Sequence, residues 1–210
     1  EFHTGDTATR STIECNPIII DNMMYITSPT NQLIALHAAS GKEVWRFVPG
    51  QMGGINRGVT FHKGKIFFSA GHYLYSIQAH TGNLIQTFGG KGKIDLRENL
   101  GKDTSKISIS LTTPGVIYKQ LLIMGSATGE GYEASPGHIR AYDVETGAMK
   151  WIFHTIPQKG EFGFETWDFK EGENYGGTNS WGGLSLDKNK GVVFVSTGSP
   201  TYDFYGGNRK

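Results

Sequence analysis

The chain has a single cysteine, Cys15, so no disulfide can close within it, and one thiol says nothing about redox compartment. It has almost no charge imbalance: 20 basic against 19 acidic residues give a formal net charge of +1. Without a basic stripe there is no electrostatic footprint for nucleic acid or for an anionic membrane surface. No apolar run reaches the roughly 18–20 residues that a membrane span needs, and no charged-then-apolar signal segment opens the chain. Neither GxGxxG nor GxxxxGK[ST] occurs, which argues against a nucleotide cofactor. His37, His72, His80 and His138 are scattered without metal-ligand spacing and read as structural or surface residues.

What is abundant is glycine and aromatic character. Thirty glycines and 12% aromatics in 210 residues favour short strands joined by tight turns, and 37% hydrophobic content can fill a sizeable core. Those strands repeat. Residues 33–47 (LIALHAASGKEVWRF), 74–88 (LYSIQAHTGNLIQTF) and 139–153 (IRAYDVETGAMKWIF) each alternate apolar and polar residues on both arms of a hairpin. Gly41, Gly82 and Gly147 fall where the turn needs a positive φ. Upstream of each lies a second strand pair, at 17–29, 58–70 and 114–126, with turns at Asp21-Asn22, Lys63-Gly64 and Lys119-Gln120. The first two copies are 41 residues apart, from Leu33 to Leu74. Four antiparallel strands at this spacing mark the blades of a β-propeller, and the alternative is a sandwich of irregular hairpins.

The expected architecture is therefore all-β, with repeats over about 12–47, 55–88, 110–153 and an incomplete 178–210. Inserts at 89–111 and 127–137 delay the third copy. The opening EFHTGD echoes WIFHTIP (151–157), so the chain is expected to begin on the last strand of one blade and stop halfway through another. That makes about three and a half blades and a piece of a longer protein. Trp45 and Trp151 occupy equivalent repeat positions and read as blade-packing residues. Trp167, in an insert, either lines an entrance or anchors its loop.

The hairpin pattern, together with IECNPIIID, NRGVTFHKGKIFF, TTPGVIY, GHIRAYDVETG and GGNRK, resembles the pyrroloquinoline quinone (PQQ) dependent dehydrogenases. The similarity runs over essentially the whole chain. It is nearer to the membrane-type glucose dehydrogenase group than to the methanol dehydrogenases. The resemblance implies an eight-bladed propeller with PQQ on its axis and a calcium ion beside it. It also implies oxidation of a sugar or other alcohol by hydride transfer to the quinone, metal-assisted, with electrons passed to a quinone or cytochrome acceptor in the periplasm. A non-catalytic propeller scaffold for protein–protein interaction is the alternative.

Site residues follow from matched positions. Arg57 matches an arginine near the quinone oxygens, Glu14 a contact to the cofactor's polar edge, and Thr112 (or Thr113) a hydroxyl partner. Ser126 and Ala127 fall where backbone approaches the cofactor. Glu130 has the spacing of a metal ligand, with Glu133 competing, and Thr201 matches a hydroxyl of the glucose dehydrogenase group. Trp181, in GGTNSWGG, is either a plug or the indole on which the quinone lies, its glycines keeping the backbone thin. Ser199 departs from the asparagine ligand of methanol-type enzymes. Gln51, Met52 and Gly53 replace that group's cysteine pair and the histidine of some glucose dehydrogenases. Asp187 and Asp203 read as turn residues, and the general-base aspartate is expected beyond residue 210.

Overall fold

The computed structural model describes residues 1–6, 12–51, 54–131, 133–169, 175–203 and 205–207. Met52, Gly53 and the last three residues of GGNRK lie outside this set. Three four-stranded antiparallel sheets follow one another, and each is ordered from inner to outer strand along the sequence. The first holds β1 (Ile18–Ile20), β2 (Met23–Thr27), β3 (Leu33–His37) and β4 (Glu43–Phe47). The second holds β5 (Thr60–His62), β6 (Lys65–Ala70), β7 (Tyr73–Gln78) and β8 (Lys93–Asp95). In the third, β10 (Val116–Tyr118), β11 (Leu121–Met124), β13 (Ile139–Asp143) and β14 (Met149–Phe153) are joined in that order. The short strands β9 (Ile109–Ser110) and β12 (Ala127–Thr128) pair beside it, and β15 (Leu184–Asp187) with β16 (Val192–Val195) form a final hairpin.

Local chemistry accounts for the repetition. Asp21 and Asn22, at φ 48° and 63°, and Lys63 and Gly64, at 47° and 78°, turn the inner hairpins with both central residues left-handed. The outer turns recur three times with one pattern: the amides of Gly41, Gly82 and Gly147 donate to the carbonyls of His37, Gln78 and Asp143. Their φ values of 68°, 76° and 74° are those the sequence pattern requires.

Alternation along each strand sends neighbouring side chains to opposite faces, so the second and third sheets pack on both sides. Phe68 joins Tyr25, Leu33 and Ile66 between the first and second sheets. Phe67 faces the other way, with Leu74, Phe88, Leu122 and Tyr142 between the second and third. Ile123, Ile139 and Ala141 meet Leu184, Val193 and Val195 across the last interface. Arg140 is fully buried in the second of these layers. Its Nη1 donates to the Leu96 carbonyl at 2.6 Å, tying the 96–111 insert to β13, and its guanidinium lies 5.7 Å from the Tyr142 ring.

Trp45 docks the first sheet on the second. Its indole N–H donates to the Ala79 carbonyl at 2.8 Å, and a Cβ at Gly82 would lie 2.7 Å from its ring. The second repeat departs from this plan. The expected outer arm 83–88 makes only a bridge, Leu84 to Ile77, before Phe88 turns into the core, and Lys93–Asp95 close the sheet instead. The reason is that Gln86 stands where Trp45 and Trp151 stand in the other repeats. Ile94 and Phe88 fill the space against Gly147, and the Gly89 amide donates to the Thr146 carbonyl at 2.8 Å.

Glu1–Asp6, expected as a strand, pairs with no sheet. Arg46 Nη1 takes the Thr4 carbonyl at 2.8 Å, and Ser28 and Thr30 donate to the Asp6 carboxylate. Burial alone would raise the Asp6 pKa, but these hydrogen bonds outweigh it and hold the carboxyl below its usual range.

Two expectations follow. Gly41 and Gly82 share a left-handed backbone, but only Gly82 faces an indole. In urea unfolding, Gly41→Ala should cost about 1–2 kcal/mol from backbone strain, and Gly82→Ala about 1–3 kcal/mol more from overpacking. Equal costs would show that the indole gives way freely. His138, 5% exposed, has its pKa pushed down from 6.5 to about 4, by burial first and then by His154 and Arg140. The unfolded chain takes up a proton that the folded chain refuses, so stability falls as pH drops from 6.5 towards 4. Between pH 7 and 5 the loss should be about 1–2 kcal/mol, and His138→Gln should flatten that slope.

Candidate functional site

The segments leading into the inner strands are bonded to one another in series. The Asn16 amide donates to the Arg57 carbonyl at 3.2 Å, and the Arg57 amide to the Thr112 carbonyl at 2.8 Å. Thr112 and Thr113 Oγ1 both donate to the Trp181 carbonyl, at 3.1 and 3.2 Å. Each repeat thus presents its entry residue at one rim of the sheets. Asn56, 5% exposed, fixes the loop around Arg57. Its Nδ2 donates to the Ser69 carbonyl at 2.9 Å, and its Oδ1 accepts the Gly58 amide at 2.8 Å. Gly58, at φ 123°, leaves room for Asn16, whose carbonyl would lie 2.9 Å from a Cβ there.

Above this series lies a cavity of about 510 Å³. Arg57, Thr112, Ala127, Glu130, Trp181 and Thr201, expected as site residues from three separate repeats, all line it. Of the open pairs, Thr112 lines it and Thr113 does not, and Glu130 lines it and Glu133 does not. Glu14 stands one step behind, its carboxylate 2.8 Å from Arg57 Nη2. Ser126 is 1% exposed, next to Ala127, with its Oγ unpartnered. A larger cavity, about 910 Å³, runs along the inner strands past Val59, Thr113, Leu184 and Val195. It shares Arg57 but has no carboxylate among the described residues of its wall, so the smaller cavity is the chemically equipped one.

The cavity wall carries two kinds of group. The Arg57 guanidinium lies 5.6 Å from the centre of the half-exposed Trp181 ring. An indole face and a planar donor fork are the groups that suit a flat anion. Glu130, Asn179, Ser199, Thr201 and Asp203 supply oxygen donors, the set that suits a hard cation. Thr128 Oγ1, in the cavity wall, and Thr178 Oγ1 beside it are buried without partners. Residues 176–179 are zipped to 198–201: Thr178 N to the Ser199 carbonyl, Gly198 N to that of Asn179, and Thr201 N to that of Gly176.

Gly176 and Gly177, ahead of Trp181, are required by the packing of the backbone itself. A Cβ at Gly176 would lie 1.9 Å from the Ala134 carbonyl oxygen, and one at Gly177 2.9 Å from that of Ser199. They admit neighbouring backbone, whereas Gly183, at φ 98°, turns the chain into β15. Asn56, Asn179 and Asp203 were not expected here. An isolated asparagine has no sequence signal, and Asp203 sits in a turn-like stretch.

A family profile for the β-propeller domain of PQQ glucose/ethanol/alcohol dehydrogenases matches residues 1–210. The quinoprotein glucose dehydrogenase of Escherichia coli is 28% identical over 99% of this chain, which covers 29% of that protein. For the quinate/shikimate dehydrogenase (quinone) of Acinetobacter baylyi, the figures are 27%, 99% and 30%. The chain therefore spans less than a third of the curated relatives it matches. A quinohemoprotein alcohol dehydrogenase of Pseudomonas putida shares the fold, with TM-score 0.75 and 24% identity over 92% of this chain and 29% of that one. With its propeller sheets and a profile match over its whole length, the chain belongs to the PQQ-dependent glucose/ethanol/alcohol dehydrogenase family.

Proposed function

We propose that this chain forms one flank of the cofactor cavity of a periplasmic PQQ-dependent dehydrogenase that oxidises a sugar or another alcohol. Electrons leave to a quinone or cytochrome acceptor. The observation that carries this reading is the convergence of Arg57, Thr112, Ala127, Glu130, Trp181 and Thr201 on one cavity. A scaffold needs no such set, because repeat packing places its demands between the sheets and not at their rim.

The residues fit the group. PQQ is flat and carries three carboxylates. Trp181 would lie against its plane, and Arg57, braced by Glu14, would neutralise its acidic edge. Thr112 Oγ1 already donates to the Trp181 carbonyl, so its action is to hold the indole as well as to offer an acceptor. Glu130 and Thr201 would hold calcium, whose preference for about six to eight oxygens matches the neutral donors around them. When bound, the cofactor supplies the two-electron acceptor and the cation polarises a carbonyl. The chain's own part is to fix the plane, balance the charge and keep the oxygen donors together.

Two measurements test this. Titration of PQQ into the chain, followed by indole quenching and by absorbance, should show saturable binding. Trp181→Ala should weaken it about tenfold, in line with roughly 1.4 kcal/mol of stacking. Arg57→Lys should also weaken it, since an ammonium lacks the planar fork. In the full-length enzyme reconstituted with PQQ and calcium, dye reduction should respond to sugars or simple alcohols. An intact protein that neither binds PQQ nor reduces the dye would refute the dehydrogenase reading.

A further inference from the structure

Two carboxylates enter the cavity from distant parts of the chain. Glu130 comes from the loop after β12 and Asp203 from the segment after β16. Neither has an ion-pair or hydrogen-bond partner among the described residues. The guanidinium in the same wall, Arg57, is engaged by Glu14. Like charges brought to one cavity repel, and a cation between them removes the penalty.

The turn that carries Asp203 is inverted relative to ordinary surface turns. The Tyr205 amide donates to the Tyr202 carbonyl at 2.8 Å, closing a turn with Asp203 next after Tyr202. Such turns show their acid to water and hide their rings. Here Tyr202 and Tyr205 are 55% and 59% exposed, and the half-buried Asp203 faces the cavity. Thr201, two residues earlier and 6% exposed, anchors the segment by accepting the Gly176 amide on Oγ1 at 3.0 Å. The orphaned Thr128 Oγ1 lies in the same wall, an unspent oxygen donor.

We propose that Asp203 is a direct ligand of the cation, paired with Glu130. Its carboxylate supplies the reach that Ser199 lacks. Thr201 and Asn179 complete the oxygen set from the same zipped segments. The inference rests on the cation site of the proposed function and adds a second negative charge to it. Charge count is one of the main levers on affinity in oxygen-liganded sites, so Asp203 governs how tightly a hard divalent or trivalent ion is held.

The test uses the metal alone, without PQQ. Terbium is titrated into the chain with indole excitation, because Trp181 lines the same cavity and its energy transfer reports occupancy there. Calcium then displaces the terbium. Asp203→Asn, which keeps size and removes charge, should weaken both ions at least tenfold with an unchanged circular dichroism spectrum. Glu133→Gln, which removes a charge outside the cavity wall, should leave them within twofold. Wild-type affinity in Asp203→Asn, with binding lost in Glu130→Gln, would remove Asp203 from the ligand set and leave the cation site standing. No sensitised luminescence in the unaltered chain, or unaltered affinity in both variants, would overturn the site itself and Asp203 with it.

Discussion

The fold and the site depend on one series of hydrogen bonds, from Asn16 to Arg57, from Arg57 to Thr112, and from the Thr112 and Thr113 hydroxyls to Trp181. Sheets packed only through apolar faces can slide against one another, because hydrophobic contact has no direction. Hydrogen bonds at the inner ends set the register between repeats and satisfy backbone groups that would otherwise be buried unpaired. They also decide where function can be placed. The residue that makes each bond is the one whose side chain emerges at the rim, so Arg57, Thr112 and Trp181 meet because their backbones do.

Around the site, close approach is a second use of glycine beside the turns. Gly58, Gly125, Gly137, Gly176 and Gly177 all sit where a Cβ would meet backbone of another repeat or insert at 3 Å or less. The 127–137 insert is clamped by these contacts, by Ser108 N donating to Ser135 Oγ at 3.1 Å, and by the ladder between β9 and β12. Glu130 is therefore presented by a loop braced from both sides. A loop carrying a ligand needs this support, since misplacing a donor by about 1 Å forfeits much of its contribution.

How much of this the sequence made legible depends on whether the cause was local. The four-strand repeat and the turn glycines were readable, because alternation and positive φ are properties of a few consecutive residues. The second repeat's outer arm was not: 83–88 alternates like a strand, but the absence of tryptophan at position 86 frees Phe88 and Ile94 to fill the interface by another route. Glu14, Arg57 and Trp181 were identified by resemblance, and the structure sets their side chains in contact as a short chain of ion pair and cation–π pair. Asn56 and Asp203 escaped because their roles come from partners far along the chain. A carboxylate in a turn looks solvated until the tyrosines on either side are seen facing out.

The cavity concentrates features that stability alone does not reward. An indole half in water, hydroxyls buried without partners and two acids sharing a wall each lower the folded state's advantage. The packed layers between the sheets bury one full charge of this kind, Arg140, set against the Tyr142 ring and the Leu96 carbonyl. The cavity's costs are of two kinds, a guanidinium beside an indole and two carboxylates among amide and hydroxyl oxygens. The first suits a planar polyacid and the second a hard metal ion, and a gap left by packing alone has no reason to collect both. Glu14 fits the same reading, because it neutralises Arg57 in the free protein and keeps the guanidinium beside the ring.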